Sequence, residues 1–272
     1  MKFSIITINY NNKDGLQNTI NSVLQQCCKD YQYIVIDGGS TDGSAELIEK
    51  KSDFIDYWVS EPDNGIYNAM NKGIAQAHGD YCIFMNSGDT FYDSDVLENV
   101  TKYDLTEDVV CGNICFGTNN ICPNPQKVTL RTLYKHTLYH QASFIKTIQL
   151  KAMPYDEKMR SAADWKWFLH ALIFKDATYK YVPVTIAFFE GGGISDNSNN
   201  IGMYEMAEEL KRCFPKRVLE DLEDYSIGTT PYRRMVNNIE RNSKLCRSMF
   251  FIDKFILKIL NVKMKTQWVR NL

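Results

Sequence analysis

Residues 33–48 read Tyr33-Ile-Val-Ile-Asp37-Gly-Gly-Ser-Thr-Asp-Gly-Ser44-Ala-Glu-Leu-Ile48. The four apolar positions from Tyr33 to Ile36 predict a short strand, Asp37 to Gly43 stop it, and Ala45, Leu47 and Ile48 open a helix. A strand that feeds a helix through a glycine-rich turn is half of a parallel crossover. Upstream, residues 3–9 form another apolar run, closed by Asn11 and Asn12. Leu16, Ile20, Val23 and Leu24 then recur at helical spacing. Downstream, residues 56–59 predict a third strand and residues 66–77 a helix with Ile66, Met70 and Ile74 on one face. Residues 81–85 predict a fourth strand, stopped by Asn86-Ser87-Gly88-Asp89. Four strands alternating with helices in the first hundred residues predict an α/β fold with a doubly wound, mostly parallel sheet flanked by helices.

The second half is less regular. Strands are expected over 109–116, 141–148 and 182–189, the last ending in Glu190-Gly191-Gly192-Gly193, and a helix over 164–174. From Met203 onward the pattern is helical. We therefore expect one large domain over 1–200, in two halves that divide at about 110. Residues 201–272 are expected as a helical C-terminal extension.

The 272 residues are 44% hydrophobic and 24% charged, which excludes disorder as the starting assumption. The opening run has no basic lead-in or cleavage site, so it reads as a first strand and the chain as cytoplasmic. Net charge is −2, yet residues 231–272 hold ten Lys or Arg against Glu240 and Asp253. Such a basic tail fits an anionic membrane surface better than a nucleic acid. Residues 248–262 are too short and too charged to span a bilayer. They would lie along its surface or pack on the catalytic domain. The eight cysteines are scattered, and we expect them reduced and mostly buried, with zinc on Cys111 and Cys115 as the minor alternative.

In doubly wound sheets, ligands sit beyond the carboxyl ends of the strands. Asn9, Asp37, the segment Glu61 to Asp63, and Asp89 all fall there. Asp37 is presented where a carboxylate can accept from a uracil or guanine N–H. Ser40, Thr41 and Asp42 are turn and capping types. The phosphate-loop spacings GxxxxGK[ST] and GxGxxG are absent. Asp89, expected at an exposed rim, could share a hard cation with a diphosphate. Asp164 opens an amphipathic helix, where a carboxylate caps or serves as a held base. His140 with Gln141, expected at a strand start, and residues 191–195 are the remaining polar clusters.

Taken together, Ser4-Ile-Ile-Thr-Ile-Asn-Tyr-Asn, Ile36-Asp-Gly-Gly-Ser-Thr-Asp-Gly-Ser, Ser60-Glu-Pro-Asp-Asn-Gly-Ile-Tyr-Asn-Ala-Met-Asn-Lys-Gly, Met85-Asn-Ser-Gly-Asp and Ala163-Asp-Trp resemble the successive motifs of family 2 glycosyltransferases. With His140-Gln141, the third and fourth stretches resemble the colanic-acid and capsule branch. The resemblance implies a GT-A catalytic domain over 1–200, its nucleotide-sugar-binding half to about 110 and its acceptor half after it, with a nucleotide-sugar donor, a glycan or lipid-linked acceptor, inversion at the anomeric carbon, and Mn²⁺ or Mg²⁺. By position it implies Thr7 and Asn9 at the nucleoside, Asp37 at the base, and Asp63 and Lys72 flanking the nucleotide. Asn86 and Gly88 would lie on the donor side, and His140, Gln141, Gly192 and Ser195 on the acceptor or diphosphate side. Asp89 would be the metal ligand and Asp164 the catalytic base. Here the DXD-type motif keeps only its last carboxylate, and Ala163 stands where the family has Glu. A sugar nucleotidyltransferase and a non-catalytic nucleotide-sugar binder are the rival readings; the residues 9–13, Asn-Tyr-Asn-Asn-Lys, lack the basic glycine-rich loop of the former.

Overall fold

The computed structural model describes residues 1–117, 120–189 and 200–227, with side chains through Asp224. Strand β1 (Phe3–Asn9) is buried at all seven positions. A strand with neighbours on both edges and helices on both faces has no wet side, so it needs apolar residues throughout. It pairs in parallel with β2 (Tyr31–Asp37) and β4 (Tyr81–Phe84), and β3 (Tyr57–Ser60) extends β2 in parallel. Helices α1 (Lys13–Leu24), α2 (Ser44–Lys50) and α3 (Ile66–Gln76) make the crossovers. Asn12 caps α1 by accepting from Gly15 N at 3.2 Å. In α3, a Cβ at Gly73 would meet Ile6 Cγ2 at 2.4 Å, so glycine lets the helix lie directly on the central strand.

After β4 the direction changes. The chain makes β5 (Thr90–Phe91), α4 (Val96–Thr101), β6 (Val109–Phe116), β7 (Asn120–Pro123), α5 (Leu130–Lys135), β8 (Ser143–Lys146) and α6 (Thr147–Ala152). Then follow α7 (Ala163–Leu169), a single π-helical turn (His170–Phe174), β9 (Tyr179–Phe189) and α8 (Ile201–Cys213). The sheet order is β3-β2-β1-β4-β8-β6-β9-β5, with β7 on β6. Strand β8 is antiparallel to both β4 and β6, whereas β6 and β9 pair in parallel through seven register positions. The ladder is thus mostly parallel, with short antiparallel additions in its second half.

Several local expectations shift. The expected 141–148 strand starts at Ser143, because His140–Ala142 is a 3₁₀ turn. The expected 164–174 helix changes to π geometry after Leu169. One compact unit spans Met1–Phe214, which includes α8, and a second spans Pro215–Leu272. Within the second, α9 (Lys216–Ile227) is described. Gly192, Ser195 and the basic 231–272 segment lie outside the described residues. Cys111 and Cys115 sit buried on β6 and do not converge: Cys111 Sγ meets Ser143 Oγ at 3.0 Å and Cys115 Sγ the Gly117 carbonyl at 3.8 Å.

Candidate active site

A cleft of about 730 Å³ opens beside the carboxyl end of β4, lined among others by Tyr67, Asn86, Asp89, His140, Gln141 and Asp164. Its floor is the turn Asn86–Asp89, closed by Asp89 N donating to Asn86 O at 2.8 Å. Gly88 adopts φ +104°, a backbone state that disfavours any other residue. Thr19 of α1 locks this turn from below, accepting from Gly88 N at 3.0 Å and donating to Asp89 O at 2.7 Å. The sequence pattern marks Thr19 only as a residue on the buried face of α1, so this role is visible only in three dimensions.

Asp89 is not at an exposed rim. The residue retains 5% of its surface, and burial pushes its carboxyl up to about 7 against the opposing pull of His140, Asn86 N–H and Gln141. A buried carboxyl held that high demands a counter-charge when ionised. Three residues earlier, Asn86 Oδ1 is buried without a hydrogen-bond partner. An oxygen anion and an orphaned amide oxygen on one short turn fit the donor chemistry of a hard divalent cation.

Asp164 also lines the cleft, joined to the turn through His140, and holds two partners. Oδ1 accepts from Tyr67 Oη at 3.1 Å, and Oδ2 lies 3.2 Å from His140 Nδ1. Burial alone would raise this carboxyl, but His140, the Trp165 N–H and Tyr67 outweigh it and hold it below its ordinary value. An ionised Asp164 can only accept, so His140 Nδ1 carries the proton. Nε2, 3.3 Å from Asn86 Nδ2, is then the accepting face. Burial lowers the His140 imidazolium, yet Asp164 and then Asp89 raise it overall. Asp164 does not cap its helix, whose N-cap is Ala162. The segment leading into the helix is instead held by Glu205 of α8, which accepts from the backbone N–H of Arg160, Ser161 and Ala162 at 2.7, 3.0 and 3.0 Å.

The residues expected at the nucleoside form a neighbouring cluster at the ends of β1, β2 and β3. Asp37 is fully buried; it accepts from Asn9 Nδ2 and Ser40 Oγ on one oxygen, and from Ser40 N and Ser60 Oγ on the other. Burial opposes its ionisation, and these bonds overcome that and lower it. Asn9 Oδ1, buried beside it, has no partner. Asp63 faces Gly38, where a Cβ would come within 2.5 Å of its Oδ2, and Lys72 pairs with Glu61 at 2.7 Å. Thr7 departs from its expected place: it is wholly buried, its hydroxyl 3.1 Å from Tyr33 Oη, inside the core rather than on a pocket wall. Nothing in the sequence pattern singles out Tyr67 or Glu205; Tyr67 lies within a quoted motif, next to the apolar face of Ile66, Met70 and Ile74.

Comparison with known proteins identifies the family. The Glycosyl transferase family 2 profile matches residues 4–153. An uncharacterized glycosyltransferase of Mycobacterium tuberculosis is 35% identical over 222 residues, 78% of this chain and 85% of that one. Among solved structures, S. aureus TarS 1-349 in complex with UDP-GlcNAc superposes with a TM-score of 0.64 at 20% identity, covering 82% of this chain and 70% of that one. The chain covers 43% of the longer TarS structure. The mannosyltransferase PcManGT from Pyrobaculum calidifontis, in complex with GDP-Man and Mn²⁺, superposes with a TM-score of 0.60 at 14% identity, covering 79% and 65%. Strand-end clusters at β1, β2 and β4, a family match across more than half the chain and a shared GT-A architecture converge: the chain belongs to glycosyl transferase family 2.

Proposed function

We propose that this glycosyltransferase moves a sugar from a UDP-sugar to a hydroxyl of a glycan or lipid-linked acceptor, with inversion, in the synthesis of a bacterial surface polysaccharide. The observation that carries the reading is the buried line of Asp89, His140 and Asp164 along one cleft. It offers an electrostatic site for a leaving diphosphate and a paired proton acceptor. The UDP preference is supported by the likeness to TarS, whose structure holds UDP-GlcNAc. The capsule-type role rests on the sequence resemblance.

In an inverting displacement the acceptor oxygen bonds to the anomeric carbon as the bond from that carbon to the diphosphate oxygen breaks. The acceptor proton must leave in the same step. The resemblance makes Asp164 the base; because its carboxylate is already paired to His140 Nδ1, we place the proton on Nε2 of that histidine, with Asp164 supplying the negative charge that draws it. Tyr67 fixes the carboxylate so that its charge is not free to rotate away. General-base assistance of this kind contributes ~10²–10⁴-fold. Asp89 with Asn86 Oδ1 would hold a divalent cation, Mn²⁺ or Mg²⁺, whose Lewis acidity when bound offsets charge on the leaving group. Asp37 and Asn9, with Asp63 and Lys72 beside them, make the nucleoside end. No helix among the described residues is long and apolar enough to cross a membrane. A peripheral attachment through the basic 231–272 segment, on the cytoplasmic face, completes the reading.

The test is a panel of nucleotide sugars with Mn²⁺ or Mg²⁺ present, read by released nucleoside diphosphate with and without acceptor. Release from UDP-sugars, lost in Asp164→Asn, is the expected result. Binding without release would make the chain a non-catalytic binder, and pyrophosphate from UTP and a sugar phosphate would make it a nucleotidyltransferase.

A further inference from the structure

At the far end of α7 from Asp164, three side chains meet that the transfer reaction does not use. His170 begins the π turn, which is closed by Lys175 N donating to His170 O at 3.0 Å. Glu209 and Cys213 lie one turn apart on α8. His170 Nε2 is 2.9 Å from Glu209 Oε1, Cys213 Sγ is 3.5 Å from the same oxygen, and Sγ is 3.8 Å from Nε2. Among the described residues this is the one set of three His, Cys, Asp or Glu ligand atoms that all fall within 4.8 Å of one another.

The geometry points to a zinc site that braces α7 against α8, with His170, Glu209 and Cys213 as ligands and a water in the fourth position. A tetrahedral ion sits about 2.0–2.1 Å from nitrogen and oxygen and about 2.3 Å from sulfur. Donor pairs around it are then roughly 3.3–3.6 Å apart. The two sulfur edges stand near that spacing, and the histidine–glutamate edge, a hydrogen bond while the site is empty, needs to open by a few tenths of an ångström. Nitrogen, carboxylate and thiolate together form a borderline-soft set that suits Zn²⁺ rather than Mg²⁺ or Mn²⁺. This separates the site from the all-oxygen chemistry of Asp89.

The surroundings are those of a held ligand. Glu209 retains 4% of its surface, and Arg212 engages its Oε2, which leaves Oε1 turned to His170 and Cys213. Hydrogen bonding to a ligand's second oxygen is the usual way a carboxylate is oriented at a metal. Lys166, 3.3 Å from Oε1, has a nearer partner in Asp156 at 2.8 Å and can be displaced onto it. The His170 side chain is 31% exposed, which gives the ion and its water an entry. A π turn inside a helix is rare and recurs at functional sites, and here it sets the position of the one histidine involved. Since α8 also carries Glu205 under α7, and Met203 and Met206 in the cleft wall, the ion would fix how that wall is seated.

The test uses the reduced full-length chain, freed of metal by EDTA and desalted, then titrated with Co²⁺ and afterwards with Zn²⁺. One thiolate-bound Co²⁺ per chain, counted by its thiolate-to-cobalt charge-transfer absorption and displaced by Zn²⁺, is the expected result. The absorption should vanish in Cys213→Ser and fall in His170→Gln, but persist in Asp89→Asn and Cys115→Ser. A second readout needs no variant: Zn²⁺ should protect Cys213 of the wild-type chain from alkylation, mapped by mass spectrometry. Absence of the absorption in the wild type, its survival in Cys213→Ser, or unprotected Cys213 at saturating Zn²⁺ overturns the assignment.

Discussion

Asp89→Asn in metal-free protein keeps the side chain's volume and removes its titration. In the folded chain the Asp89 carboxyl titrates near 7, against 3.8 in the unfolded chain. Between those values the native state holds a proton that the unfolded state has released. Its stability contribution is therefore complete below 3.8 and is lost as the pH rises through about 7. About three decades of pH at about 1.4 kcal/mol each make this loss roughly 4 kcal/mol from one residue. The near-complete burial of Asp89 means that solvent screening takes little from it. Urea unfolding of wild type and variant in EDTA, at about pH 4 and about pH 8, reads the term as a pH-dependent difference, with the other titrating groups present in both and His140, which Asp89 helps to raise, shifted in the variant. The variant should match the wild type in acid and exceed it by roughly 2–4 kcal/mol in base, while transfer is abolished. A stability difference that stays constant across that range would refute the buried, high-titrating Asp89 and with it the electrostatic argument for a cation there.

Asp164→Asn should lower kcat by ~10²–10⁴-fold and leave donor affinity unchanged by calorimetry, because the amide still offers an oxygen to His140 and an N–H to Tyr67. Its residual activity should show an acidic limb moved to lower pH, since the pair accepts a proton only when His140 is neutral and Asp164 is what chiefly raises that histidine; an unmoved limb would remove His140 from the proton path. Glu205→Ala strips three backbone N–H groups of their acceptor and should cost about 2 kcal/mol in chemical unfolding, with a fall in kcat as Asp164 loses its fixed position. Truncation after Thr230 should abolish co-sedimentation with anionic vesicles and leave neutral vesicles unbound throughout; retention of binding would return the tail to a packing role.

The parallel half was legible because its strands alternate with amphipathic helices and stop at Asn, Asp and Gly. The side-chain facing of Thr7 was not, since a strand buried on both faces shows no alternation from which to tell pocket wall from core. Asp89 illustrates a different limit. Its place after β4 is readable, but its burial depends on His140, some fifty residues later, and on Thr19, seventy residues earlier. The pairing of His140 with Asp164 spans 24 positions and two elements, and no periodicity couples them. Glu205 reads as one more charged residue on a solvated helix until α8 is seen lying under the start of α7. Cys213 and Glu209 have helical spacing in the sequence, whereas their histidine ligand comes from another helix altogether.

Strand β4 is the last parallel strand beside β1, and β8 lies next to it running the other way. Asn86 and Asp89 leave the sheet from β4, and His140 and Gln141 lead into β8, so adjacent strands receive their chemistry from segments far apart in the chain. The turn that Thr19 locks takes those two backbone bonds from α1, so they do not depend on the segment between β6 and β8. The boundary between parallel and antiparallel pairing is thus where two separately supported segments of the chain meet in one cleft.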